Sequence, residues 1–112
     1  MARVAASPVT PIGNTITLDS PEMLHYPHVV VAFSYFTDAD GTDAPTPTAG
    51  TIALSTKYNG SQGYIAFSGS PIDCTTEGAY ADSAGPSVSF KAEPTGITGA
   101  THYQMTVTGN KG

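Results

Sequence analysis

The sequence predicts an all-β protein: an antiparallel β-sandwich of about six to eight strands with jelly-roll or immunoglobulin-like topology. Three observations predict it. Apolar and polar residues alternate with a period of two in six separate segments, the pattern of half-buried strands. No segment repeats apolar residues convincingly at helical spacing. Turn-forming residues cluster between the alternating runs, with 12 Gly and 9 Pro among 112 residues.

The elements follow in chain order. Residues 1–12 read as an extended N-terminal arm in which Pro8 and Pro11 remove backbone donors. Residues 13–112 read as one β-sandwich domain, because a chain of this length leaves no room for two cores. In residues 14–18, Ile16 and Leu18 share one strand face and Thr15 and Thr17 the other. Ser20-Pro-Glu-Met-Leu24 fits one turn of helix at most, with Ser20 as cap and Pro21 at the first helical position. Residues 29–36 are the most apolar run. Val29, Val31, Phe33 and Tyr35 share one face; Val30, Ala32, Ser34 and Phe36 share the other. A strand apolar on both faces is expected at the centre of a sheet or beneath another surface.

Residues 51–55 place Ile52 and Leu54 inward. Residues 63–68 are expected to place Ile65 and Phe67 inward, with Tyr64 opposite. Asn59-Gly60 between these runs tolerates positive φ, so the two form a hairpin with a loop longer than two residues. Val88, Phe90 and Ala92 point inward from residues 87–92. Tyr103, Met105 and Val107 do so from the last strand, while His102, Gln104, Thr106 and Thr108 point outward. Two long loops, 38–49 and 69–86, are the places where a compact scaffold carries binding residues.

Composition limits the function classes. Charged residues make up 12% of the chain, against about 25% in ordinary globular proteins. The net charge is −5, and Arg3, Lys57, Lys91 and Lys111 form no basic stripe. Nucleic-acid binding and adhesion to anionic membranes are therefore not expected. No charged leader with an apolar run follows Met1, and the strongest apolar run, residues 29–33, is too short to span a bilayer. The expected place of synthesis is the cytoplasm.

The chemistry-bearing residues are few. Asp38, Asp40 and Asp43, with Gly41 between them, resemble part of a calcium loop, but the closing Glu of that pattern is absent. Asp and Gly also make turns, so a structural turn and no metal are expected. His25 and His28 flank Tyr26-Pro27, where an extended backbone puts them on opposite faces, and His102 is distant in sequence. They read as surface or interface histidines. Cys74 is the one cysteine, so no internal disulfide is possible, and nearby carboxylates are expected to raise its pKa. No nucleophile elbow, phosphate loop or dinucleotide fingerprint occurs. Neither catalysis nor a cofactor is expected. The partner-binding candidates are Arg3, Val4 and Pro8 on the arm, together with Tyr26, His28, Tyr58, Tyr64 and Tyr80. Exposed tyrosines suit a protein interface, and equally suit stacking on a sugar ring.

Two resemblances add to this reading. Residues 97–112, Ile-Thr-Gly-Ala-Thr-His-Tyr followed by alternating apolar positions, resemble the penultimate strand of fibronectin type III and related immunoglobulin-like domains. That resemblance implies a tyrosine-corner role for Tyr103 and a sheet edge left open or filled by another chain. The second resemblance is carried by Phe36-Thr-Asp-Ala-Asp-Gly-Thr, then Pro47-Thr-Ala-Gly-Thr-Ile, then Ile97-Thr-Gly-Ala-Thr-His-Tyr. These stretches resemble small β-sandwich structural proteins of tailed bacteriophages. The resemblance implies a virion component, foremost a capsid decoration or cement subunit that contacts itself and a larger protein such as the major capsid protein. A tail or adaptor component, or a carbohydrate-binding adhesion module, is the alternative.

Overall fold

The computed structural model describes residues 2–20, 23, 26, 28–58, 63–67, 70–75, 79–82 and 87–110. Among these residues there are ten strands: β1 (Ala2–Ala6), β2 (Thr10–Pro11), β3 (Ile16–Asp19), β4 (His28–Phe36), β5 (Ala49–Tyr58), β6 (Ile65–Ala66), β7 (Ile72–Asp73), β8 (Ala79–Asp82), β9 (Ser87–Thr98) and β10 (His102–Asn110). They form two five-stranded sheets in which every pairing is antiparallel. One runs β1-β10-β4-β8, with β2 also on β10; the other runs β3-β9-β5-β6, with β7 also on β5.

This order is nested. Setting aside the two-residue β2, the first strand pairs with the last and β3 with the next to last. β4 then pairs with β8, and β5 with the short strands that follow it. Nested pairing split over two sheets is the jelly-roll arrangement. It settles the choice between the two expected topologies and removes the open edge that an immunoglobulin-like ending implies. The last strand, β10, lies between β1 and β4.

Local sequence explains the long strands. β4 is flanked by β10 and β8, which is where a strand apolar on both faces belongs. Val29 and Val31 are buried in the core, and Phe33 and Tyr35 pack against it. β10 sends Tyr103, Met105 and Val107 into the same core, and β5 and β9 contribute Ile52, Leu54, Phe90 and Ala92 from the other sheet. Fully burying each large apolar side chain contributes about 1.5–3 kcal/mol. β9 and β5 slip register between Ala49 and Thr51, where Gly50 has φ 120°. A Cβ at that position would lie 2.5 Å from Ile97 Cα, so only glycine lets the strands approach there.

Three expectations change. The 1–12 segment is not a free arm: residues 2–6 and 10–11 pair along β10, with Ala2 opposite Asn110 and Thr10 opposite Tyr103. Ser7, between those strands, is buried and hydrogen-bonded to Met105. Ile65 does not enter the core but stays 49% exposed, because β6 is a two-residue edge strand with a neighbour on one side only. Phe67, just beyond it, is buried. Tyr103 does anchor a backbone carbonyl, but not one a few residues upstream as in a tyrosine corner. Its hydroxyl donates to the Asn14 carbonyl at 2.6 Å, in the turn that leads into β3.

Of the expected helical turn at 20–24, Met23 is described: its N–H donates to the Ser20 carbonyl at 3.0 Å, and its own carbonyl accepts from Tyr26 at 3.0 Å. Pro21 and Leu24 lie outside the described residues, as do His25 and Asn59-Gly60. Within the expected 69–86 loop, residues 72–73 and 79–82 are strands.

Candidate interaction surfaces

The acidic loop after β4 is built by its own side chains. The Asp38 carboxylate accepts the Thr42 N–H at 2.9 Å through one oxygen and the Thr42 hydroxyl through the other. The Thr37 hydroxyl donates to Asp43 at 2.8 Å, and the Thr37 N–H donates to the Asp43 carbonyl at 3.1 Å. Thr42's donors hold the Asp38 carboxyl below its ordinary pKa. Gly41 takes φ 71° here. This is Asx-turn chemistry. Among the described residues, no three His, Cys, Asp or Glu groups converge on a metal-sized site.

Cys74 is fully buried in the core, and burial is the main cause pushing its thiol pKa up; Asp73 adds to it more weakly. Asp73 is itself held below its ordinary value by the Thr75 hydroxyl and N–H. Tyr103, also buried, is pushed up to about 12 by desolvation.

The partner-binding candidates do not converge. Val4 is 61% exposed on β1, and Pro8 is exposed just after that strand. Arg3 stands opposite Gly109 in the β1–β10 ladder. His28 is exposed at the start of β4, opposite Asn110. Tyr26 is half-buried against the core. Tyr58 ends β5 opposite Ser87, and Tyr80 in β8 stands opposite Val31. Tyr64 lies with the other sheet and is stapled down. Its hydroxyl is 2.7 Å from the Ser89 Oγ, which donates to Asp19 at 2.7 Å. Lys91 Nζ stands 4.6 Å from the centre of the Tyr64 ring and 3.6 Å from Glu93.

The two outer sheet faces differ in charge. The β3-β9-β5 face carries Asp19, Lys57, Lys91 and Glu93, by the register that sets Asp19 opposite Ser89, Lys57 opposite Ser89 and Glu93 opposite Ala53. Between His28 at one end and His102 at the other, the outer face of β1-β10-β4 carries Val4 and Ala6, then Gln104, Thr106 and Thr108, then Val30, Ala32 and Ser34. No charged side chain stands among these eight. Register aligns them in rows, Val4–Thr108–Val30 and Ala6–Thr106–Ala32, which continue to Ala81 and Ala79 on β8. Only Val4 of this panel was singled out from the sequence. Gln104, Thr106, Thr108, Val30, Ala32 and Ser34 show in the sequence only as outward positions of two separate strands, and Ala6 shows no signal. Phe36, at the end of the outward series, is buried close to Val9 and Gly41.

Comparison with known proteins adds the fold and the family. A solved structure of Bacillus endospore appendages, described as a novel family of disulfide-linked pili, superposes with a TM-score of 0.53 at 7% identity. The match covers 100% of this chain and 88% of that one, and at this identity it speaks to the fold alone. No curated protein sequence matches. A family model described as Domain of unknown function (DUF7265) matches residues 1–112, and the chain belongs to that family.

Proposed function

We propose that this chain is a structural subunit of a multi-copy protein assembly, acting through protein–protein contacts and not through catalysis. The observation that carries the reading is the uncharged panel on the β1-β10-β4 face, in a chain of net charge −5. Depletion of charge marks the cores of protein interfaces, because hydroxyl and methyl surface desolvates at far lower cost than Lys or Glu surface. The first form of this reading is a decoration or cement subunit of a phage particle, reinforcing a shell by contacts with its own copies and a larger shell protein. It is supported by the likeness of the 36–42, 47–52 and 97–103 stretches to virion proteins, and a tail component is its near variant.

A second form is a subunit of a surface appendage, favoured by the fold shared with the pilus protein. The disulfide linkage named for that protein has no ready counterpart here. The single cysteine, Cys74, is fully buried, so either form rests on non-covalent contacts. Immunogold electron microscopy of the source culture, with antibody against the purified chain, tests the proposal. Gold on particle shells or tails supports the virion form, and gold along filaments supports the appendage form. Label confined to the soluble, unassembled fraction overturns both.

A further inference from the structure

We infer that the β1-β10-β4 face is a contact between two copies of this chain, packed back to back across a two-fold axis. The inference rests on the assembly reading and names the partner. Three observations point to a second copy.

First, a two-fold contact sets each patch against itself, so any charge near the axis meets its own sign. The rows Val4–Thr108–Val30 and Ala6–Thr106–Ala32 are free of charge and self-compatible. Second, the chain carries net charge −5, and its described acids lie elsewhere. Asp19 and Glu93 are on the opposite face, Asp38, Asp40 and Asp43 are in the loop after β4, and Asp73 is on β7; Asp82 ends β8 in this sheet, but at the register of the inward Val29 and so off the outward rows. Back-to-back packing brings two copies together on the side that avoids their mutual repulsion. Third, these rows hold only Val, Ala and Thr, with no long side chain to hold a second sheet away. What they present is a pleated surface of small side chains, which packs on another sheet at about 10 Å.

Four strands about 4.8 Å apart and some six residues long cover roughly 400 Å² per copy, about 800 Å² per pair. Stable isolated dimers need about 1,200–2,000 Å². The contact is therefore weak between two free copies and gains strength when an array holds many copies together.

Cysteine cross-linking captures weak contacts, and the native Cys74 is buried. Thr106→Cys, at the middle of the panel, is expected to give a dimer cross-linked by a short bis-maleimide, which spans a gap between sheets too wide for a disulfide, its yield rising with protein concentration. Ala53→Cys, exposed on the opposite sheet, is expected to give at least about tenfold less. Adding Thr108→Glu to Thr106→Cys is expected to cut the dimer yield by a similar factor, because the interface would bury two unpaired carboxylates. Circular dichroism checks that Thr108→Glu folds; exposed Ser34→Glu replaces it if it does not. Equal yields from Thr106→Cys and Ala53→Cys, or none from Thr106→Cys, overturn the inference. If that happens while gold still decorates particles or filaments, the assembly reading stands and only this face is wrong. If neither result appears, both fall.

Discussion

Ser7 and Met105 are joined by two hydrogen bonds: the Ser7 N–H donates to the Met105 carbonyl at 2.9 Å, and the Met105 N–H donates to the Ser7 hydroxyl at 3.0 Å. The side-chain oxygen takes the place of a backbone carbonyl where β1 has ended and β2 has not begun. Gln104 adds a third tie, donating from Nε2 to the Ser7 carbonyl at 2.8 Å. Ser7 is thereby the pin that holds the N-terminal segment on β10.

Ser7→Ala leaves the buried Met105 N–H without an acceptor. The expected loss is about 1–3 kcal/mol, the desolvation cost of an orphaned buried donor. Urea unfolding measures the loss, and hydrogen exchange at the Met105 amide should accelerate together with that of the β1 amides.

Tyr103 gives an alkaline signature. Its hydroxyl donates to the Asn14 carbonyl at 2.6 Å, and burial raises its pKa to about 12. An unfolded tyrosine titrates near 10. Between those values the folded chain keeps a proton that the unfolded chain loses. The stabilisation is thus complete below pH about 10 and drains away as pH climbs through about 12. Ultraviolet titration should show a late-ionising tyrosine. Tyr103→Phe should remove it, flatten the alkaline limb of stability against pH, and cost about 0.5–1.5 kcal/mol for the lost hydrogen bond to the Asn14 carbonyl.

Two glycines with positive φ should respond differently to substitution. Gly50→Ala drives a Cβ to 2.5 Å from Ile97 Cα at φ 120°, with no flexible side chain to yield. Overpacking of this kind costs about 1–3 kcal/mol, and the strained φ adds about 1–3 more. Gly96 has φ 64° and open space around its Cβ position, and Asn visits that region at little cost. Gly96→Asn should leave Tm nearly unchanged while Gly50→Ala lowers it by about 10 °C or more; differential scanning calorimetry compares them.

The acidic loop should ignore calcium. Both Asp38 oxygens are engaged by Thr42, so isothermal titration with calcium is expected to give neither heat nor a melting shift. Asp38→Ala should loosen the 38–43 turn and leave the global melting temperature nearly unchanged, as expected of an exposed side chain. Its carboxyl is held below the ordinary value, so its small contribution is present above pH about 4 and fades as pH falls through the lowered value. Calcium binding with a clear heat would show that the Thr42 contacts give way.

The long strands were legible because each buries one face. β3, β4, β5, β9 and β10 alternate on the page as they do in the sandwich, and Ile16, Leu54, Phe90 and Met105 were assigned inward correctly. The short strands were not legible. β7 and β8 sit in a stretch rich in Gly, Ser and Ala, where period two carries little hydrophobic contrast. β1 was hidden for another reason: Ala2–Ala6 has almost no polar alternation, and its partner is the far end of the sequence. Ile65 failed because alternation reports a face and not whether anything covers it. The uncharged panel was visible in fragments, as outward Thr106 and Thr108 on one strand and Val30 and Ala32 on another. Only register brings the fragments side by side.

The nested pairing also dictates an order of events. β5 meets its nearest neighbours across a short loop, whereas Ala2 must find Asn110 across nearly the whole chain. Closing each wider loop costs more chain entropy, so assembly should proceed from β5 and its neighbours outward, with β1 docking last. Folding dominated by such distant pairings belongs to the millisecond-to-second range. Until β1 docks, β10 has one unsatisfied side, and a β1 strand from another copy could fill it as readily as its own. Refolding at high concentration is therefore the condition under which strand exchange between copies should be sought.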